Sequence, residues 1–60
     1  MTFRELEKIV TSEGWVRKLS VGSHIHYKQP TKPGKVTIPN HRGDIKPAVV
    51  NSVLKQAGLK

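Results

Sequence analysis

Cysteine is absent from these 60 residues, so no disulfide can reinforce the fold and no thiolate zinc site can form. The lack of thiols fits a cytosolic setting. Acidic residues are scarce: Glu5, Glu7, Glu13 and Asp44 stand against eleven Lys and Arg, for a net charge of +7. Three of the four acids lie before residue 14, so the positive surplus falls mostly on the rest of the chain. Such a balance points to nucleic acid, an anionic membrane or an acidic protein. No apolar run approaches the ~20 residues of a membrane span. The opening residues are polar and acidic rather than basic then apolar, unlike a secretory signal. The expected partners are therefore nucleic acid, an acidic protein, or both, and not a membrane. Aromatics are few, one each of Phe, Trp and Tyr, so Trp15 and Tyr27 are needed in the core before they can be spared for stacking on bases.

At this length one domain is expected, residues 1–60, with a small core and marginal stability. A partner that binds only the folded form would add stability by mass action.

Residues 2–13 read as a helix. Thr2 and Glu5 have the T-x-x-E spacing of a capping box, Phe3, Leu6, Ile9 and Val10 recur at helical spacing, and Gly14 suits the position past the helix end. Residues 15–20 alternate in part, as a strand does. Val21-Gly22-Ser23 is a turn, and residues 24–29 form a second strand with Ile25 and Tyr27 on one face and His24, His26 and Lys28 on the other. The Pro30 to Gly34 stretch is a loop. Lys35 to Pro39 is a third strand with Val36 and Ile38 inward, and Asn40 to Asp44 is another loop. The last helix spans about residues 46–57, with Pro47 in its first turn, an apolar stripe of Val50, Val53, Leu54 and Ala57, and Gly58 at its end.

The order α-β-β-β-α defines an α+β fold, with two helices on one face of a three-stranded antiparallel sheet. The other face is expected to be open and free of large apolar residues. It carries His24, His26, Lys28, Lys35 and Thr37, with Arg17 or Lys18 near by. Lys28, Lys35, Arg17 and Lys18 suit phosphate contacts. Gly22 and Ser23 shape the loop before His24, and Ser23 is also a possible phosphate donor. His26 reads either as a second proton donor or as an ordinary strand residue, and His41, beside Arg42, as a substrate contact or a solvated loop residue. From its position alone His24 either caps the turn or acts as a general acid or base, for which an imidazole titrating near neutral pH is suited. Acid–base chemistry of this kind needs no metal or other cofactor. His24 and His26 share a face but make only two ligands, too few for a firm metal site.

Four segments in order resemble one family. Glu5 to Val10 followed by Gly14-Trp15 is similar to the first helix and strand of the HicA (YcfA-like) toxins. Gly22-Ser23-His24, then the alternating Ile25-His26-Tyr27, resembles their Gly-Ser-His motif. Lys35 to Pro39 with His41 resembles their third strand, and Asp44 to Pro47 followed by Ser52 to Leu59 their closing helix. The resemblance implies a fold like the double-stranded RNA-binding domain. It implies an mRNA interferase of a type II toxin–antitoxin system, an endoribonuclease that works without the ribosome and uses His24. It also implies a HicB antitoxin that covers the active site. The rival reading is a non-catalytic RNA-binding module with the same element order. Such modules carry a lysine cluster at the start of the last helix, where this chain has Asp44-Ile45-Lys46-Pro47.

Overall fold

The computed structural model describes residues 1–40 and 42–60. His41 lies outside the described residues. The elements run α1 (Phe3–Ser12), β1 (Val16–Val21), β2 (His24–Lys28), β3 (Val36–Pro39) and α2 (Pro47–Gln56), the α-β-β-β-α order expected.

The ends of α1 are set by local chemistry. The Thr2 hydroxyl accepts the Glu5 N–H at 3.2 Å, and the Glu5 carboxylate accepts the Thr2 N–H at 2.9 Å. This reciprocal box satisfies two N–H groups that the helix itself cannot. The Thr2 N–H, and with it the Thr2 hydroxyl, which donates to the same carboxylate oxygen at 3.1 Å, hold the Glu5 carboxyl below its ordinary pKa. The helix ends at Ser12 with Glu13 as its C-cap, and Gly14 follows at φ +96°, a backbone state that suits glycine. Pro47 opens α2, where no N–H is required.

The three strands form one antiparallel sheet in the order β1-β2-β3. Gly22 and Ser23 alone connect the closing pair Val21↔His24, and Gly22 takes φ +57°. A glycine at positive φ in the first of two loop residues is the hairpin turn whose twist matches the strands. Val21 thus belongs to β1, one residue beyond the expected strand end.

Both helices pack on the face of the sheet that carries Ile25 and Tyr27 of β2 and Val36 and Ile38 of β3. Leu6 and Val10 from α1, Val53 and Ala57 at α2, and Trp15 complete the buried cluster. Ile45 also belongs to it, although it lies between the expected loop, Asn40 to Asp44, and the expected last helix. An isolated bridge pairs Thr2 with Asp44, and the Ile45 N–H donates to the Met1 carbonyl at 2.6 Å, which carries Ile45 inward. The Trp15 indole N–H donates to the Ala57 carbonyl at 3.3 Å and so ties the start of the sheet to the end of α2. Trp15 and Tyr27 are both core residues.

The two sheet edges differ. On β3 the Thr37 N–H donates to the Gln56 side chain of α2 at 3.0 Å, and Pro39 has no N–H, so that edge is poorly suited to pairing with another strand. β1 is the other edge, and none of its residues is buried.

The candidate functional site

The open face is built by strand register. Residues paired across an antiparallel ladder share a face. Val21, His24 and Pro39 form one row, and Leu19, His26 and Thr37 the next. Val16 pairs with Lys28 in the row beyond. His24, His26 and Lys28 therefore project together, opposite the buried Ile25 and Tyr27.

β1 departs from the expected face. The register shifts between Arg17 and Leu19, whose partners Tyr27 and His26 are adjacent, so Lys18 is an extra residue in a β-bulge. Without it Leu19 would turn toward the helices. With it, Val16, Leu19 and Val21 all lie on the open face, at 52%, 57% and 56% exposure. The expectation of a face free of large apolar residues is corrected: an apolar stripe runs beside the histidines. The partial alternation of Val16 to Val21 hints at the irregularity, but only the pairing shows which way each side chain turns.

The choice between Arg17 and Lys18 is also resolved. Arg17 pairs with Tyr27 and so lies on the helix side, with its guanidinium 3.5 Å from the Glu7 carboxylate of α1. The expected grouping of Arg17 with the basic face is corrected on that ground. Lys18 joins Val16, Lys28, Gln29 and Pro30 around a shallow hollow of about 400 Å³. Lys35 stands exposed one residue before β3, next to the Tyr27↔Val36 pair as Lys28 is.

At the other end of the face, His24 is exposed and directly follows the Gly22-Ser23 turn. The Ser23 carbonyl accepts the Asn40 N–H at 2.6 Å, so the backbone of the turn is anchored to the end of β3. His26 is half-buried, and its Nδ1 lies 2.9 Å from the Thr37 hydroxyl oxygen. The Ser23–Asn40 bond sets the alternation of the ladder, which makes His26↔Thr37 a pair without backbone bonds, where side chains approach most closely. Thr37 stood in the sequence only as one more polar residue; its bond to His26 depends on a register that the sequence does not print.

Beneath the face, the Tyr27 hydroxyl donates to the Glu7 carboxylate at 2.5 Å. Burial, and then the Glu7 hydrogen bond and charge, push the phenol pKa well above its ordinary 10.0. Asp44, three residues before α2, is 3.7 Å from the α-amino group of Met1, so an acid lies next to the region where duplex-binding modules place lysines. No helix is long and apolar enough to cross a membrane among the described residues.

Comparison with known proteins gives a consistent result. Residues 3–59 match the family model for the HicA toxin of bacterial toxin–antitoxin systems. A chain of a toxin–antitoxin complex from Streptococcus pneumoniae superposes with a TM-score of 0.82 at 32% identity, over 98% of both chains. No curated protein sequence matches this chain.

Proposed function

The chain belongs to the HicA toxin family of bacterial toxin–antitoxin systems, and from that premise we propose that it is an endoribonuclease, an mRNA interferase acting in the cytoplasm. His24 is its catalytic histidine, and a HicB-type antitoxin silences it by covering His24 and the basic sheet face. The observation that carries this reading is the position of His24: exposed at the edge of an open face, directly after a tight glycine turn, with His26 and Lys28 in line behind it.

RNA supplies its own nucleophile, the 2′-hydroxyl, and the protein has to move protons and stabilise charge. An imidazole does the first near neutral pH. Lys28 and Lys18 offer positive charge to the phosphate oxygens, where negative charge builds during attack. Gly22 and Ser23 keep the turn low, so a phosphate can approach the backbone beside His24. Lys35 extends the cationic track. Arg17, engaged with Glu7 on the other side of the sheet, is left out of it.

The antitoxin reading draws on two supports. The similar Streptococcus pneumoniae chain belongs to a toxin–antitoxin complex. The open face also combines cations with the exposed Val16, Leu19 and Val21, a mixture suited to an acidic protein partner with an apolar centre.

The test is incubation of the purified chain with a defined RNA, read on a denaturing gel. Wild type fragments the RNA, and His24→Ala retains the fold but loses cleavage by about 10² to 10⁴-fold. A folded His24→Ala chain with full activity excludes the assignment. RNA that is shifted but intact with wild type identifies the binding module instead.

A further inference from the structure

The geometry points to His26 as the second proton-transfer group of this site, with Thr37 as the residue that positions it. The inference rests on the RNA-cleaving role proposed for His24 and adds a partner to it. Cleavage by the 2′-hydroxyl forms the bond from the 2′-oxygen to phosphorus and breaks the bond from phosphorus to the 5′-oxygen. One group takes the 2′-hydroxyl proton, and another delivers a proton to the departing 5′-oxygen. The products are a 2′,3′-cyclic phosphate and a 5′-hydroxyl, so the balance closes with two imidazoles of opposite protonation. The attacking and leaving oxygens lie roughly in line through phosphorus. A single ring does not reach both sides in one step.

His24 and His26 are spaced to divide the task. They leave the same face of β2, with Cα atoms roughly 6.6 Å apart at ~3.3 Å per residue. A phosphate between them can bring each of its two reacting oxygens within hydrogen-bond reach, ~3 Å, of one ring. His26 is also held in place. Its Nδ1 is 2.9 Å from the Thr37 hydroxyl oxygen, and a hydroxyl both donates and accepts. Thr37 can therefore hold Nδ1 in the neutral and in the protonated ring, with Nε2 left for substrate. Thr37 is anchored in turn, because its N–H donates to Gln56 of α2 at 3.0 Å. The helix fixes the strand, and the strand hydroxyl fixes the ring.

The experiment follows cleavage of a defined RNA by the full chain across the pH range in which histidine titrates. Wild type, His24→Ala, His26→Ala, His26→Gln and Thr37→Val are compared. A second RNA carries sulfur in place of the 5′-oxygen at the cut site, a leaving group that needs no protonation. The expected wild-type profile is bell-shaped. Both His26 variants lose about 10²-fold in rate and one limb of the bell. The glutamine can keep the Thr37 bond but cannot relay a proton, so its loss is chemical rather than structural. On the sulfur substrate, either the His24 or the His26 variants recover rate, which identifies the acid. Thr37→Val keeps both limbs and lowers kcat with KM unchanged, because the ring is no longer held.

Wild-type rates in the His26 variants, both limbs retained, or no recovery on sulfur in either set overturns the pairing. An unchanged kcat in Thr37→Val overturns the positioning role. Intact RNA with wild type, or full activity in His24→Ala, instead removes the proposed function itself. An active wild type with an inactive His24→Ala and an unaffected His26→Ala defeats this inference alone.

Discussion

The two faces of the β2–β3 hairpin are made by the same residues in alternation, yet they obey different rules. On the helix side Ile25, Tyr27, Val36 and Ile38 are buried, and the polar ends they bring along are paired, as in the Tyr27–Glu7 bond. On the open side His24, Lys28 and the β1 residues Val16, Leu19 and Val21 stand in solvent, and His26 and Thr37 satisfy each other. The first face holds the chain together. The second can be rewritten with little effect on stability, which leaves it available for function. In a 60-residue chain the division is sharp, because a small core can spare few of its side chains.

Substitution should separate the faces by size of effect. The largest is expected for Trp15→Ala or Tyr27→Ala. Removing a buried aromatic costs about 3–5 kcal/mol, comparable with the whole stability of so small a domain. Either variant should lack a cooperative thermal transition by circular dichroism. A folded Trp15→Ala would mean that the core is held elsewhere.

A smaller effect is expected for Tyr27→Phe, which keeps the ring and removes one hydrogen bond to a charged group, a loss of about 1.5–3 kcal/mol. It also carries a pH signature. The folded-state phenol pKa is raised by burial and by Glu7. The stabilisation is thus complete below the ordinary phenol pKa of 10.0 and is lost as pH rises from there toward the folded value. Wild type should lose melting temperature on that alkaline limb, and Tyr27→Phe should not show the same component. Identical alkaline profiles would discount the Tyr27–Glu7 bond.

The smallest stability effect is expected on the open face. Leu19→Ser should change folding stability by no more than about 0.5 kcal/mol, as for an ordinary surface site. The same change should weaken antitoxin binding by roughly tenfold, the loss from exposing part of a leucine that the complex buries. Calorimetric titration with the antitoxin checks this. Unchanged affinity would place the apolar stripe outside the interface.

Much of the fold was legible because short-range signals and periodicity agreed. Thr2 and Glu5 announce the start of α1, Gly22-Ser23 the hairpin, and Pro47 the start of α2. Ile25/Tyr27 and Val36/Ile38 show the inward face by their period of two. Elsewhere local and long-range signals diverge. Ile45 falls between the expected loop and the expected helix, and is buried because the N-terminal residues pair with its neighbour. Leu19 would face the helices in a regular strand, and the bulge at Lys18 turns it outward. The candidate site divides in the same way. His24, His26 and Lys28 could be placed on one face from their spacing alone, whereas the separation of Lys18 from Arg17 and the bond from His26 to Thr37 could not.

By itself the sequence determined what each segment would become and which residues of β2 and β3 would share a face, because caps, turns and side-chain periodicity act within a few residues. It also settled the excess of positive charge and the placement of a histidine after a glycine turn. Only the tertiary structure decided the register between strands, and with it the bulge, the apolar stripe and the partner of His26. Register is a property of pairs far apart in the chain, set by how β1, β3 and the helices close around β2, so the order of residues along the chain does not record it.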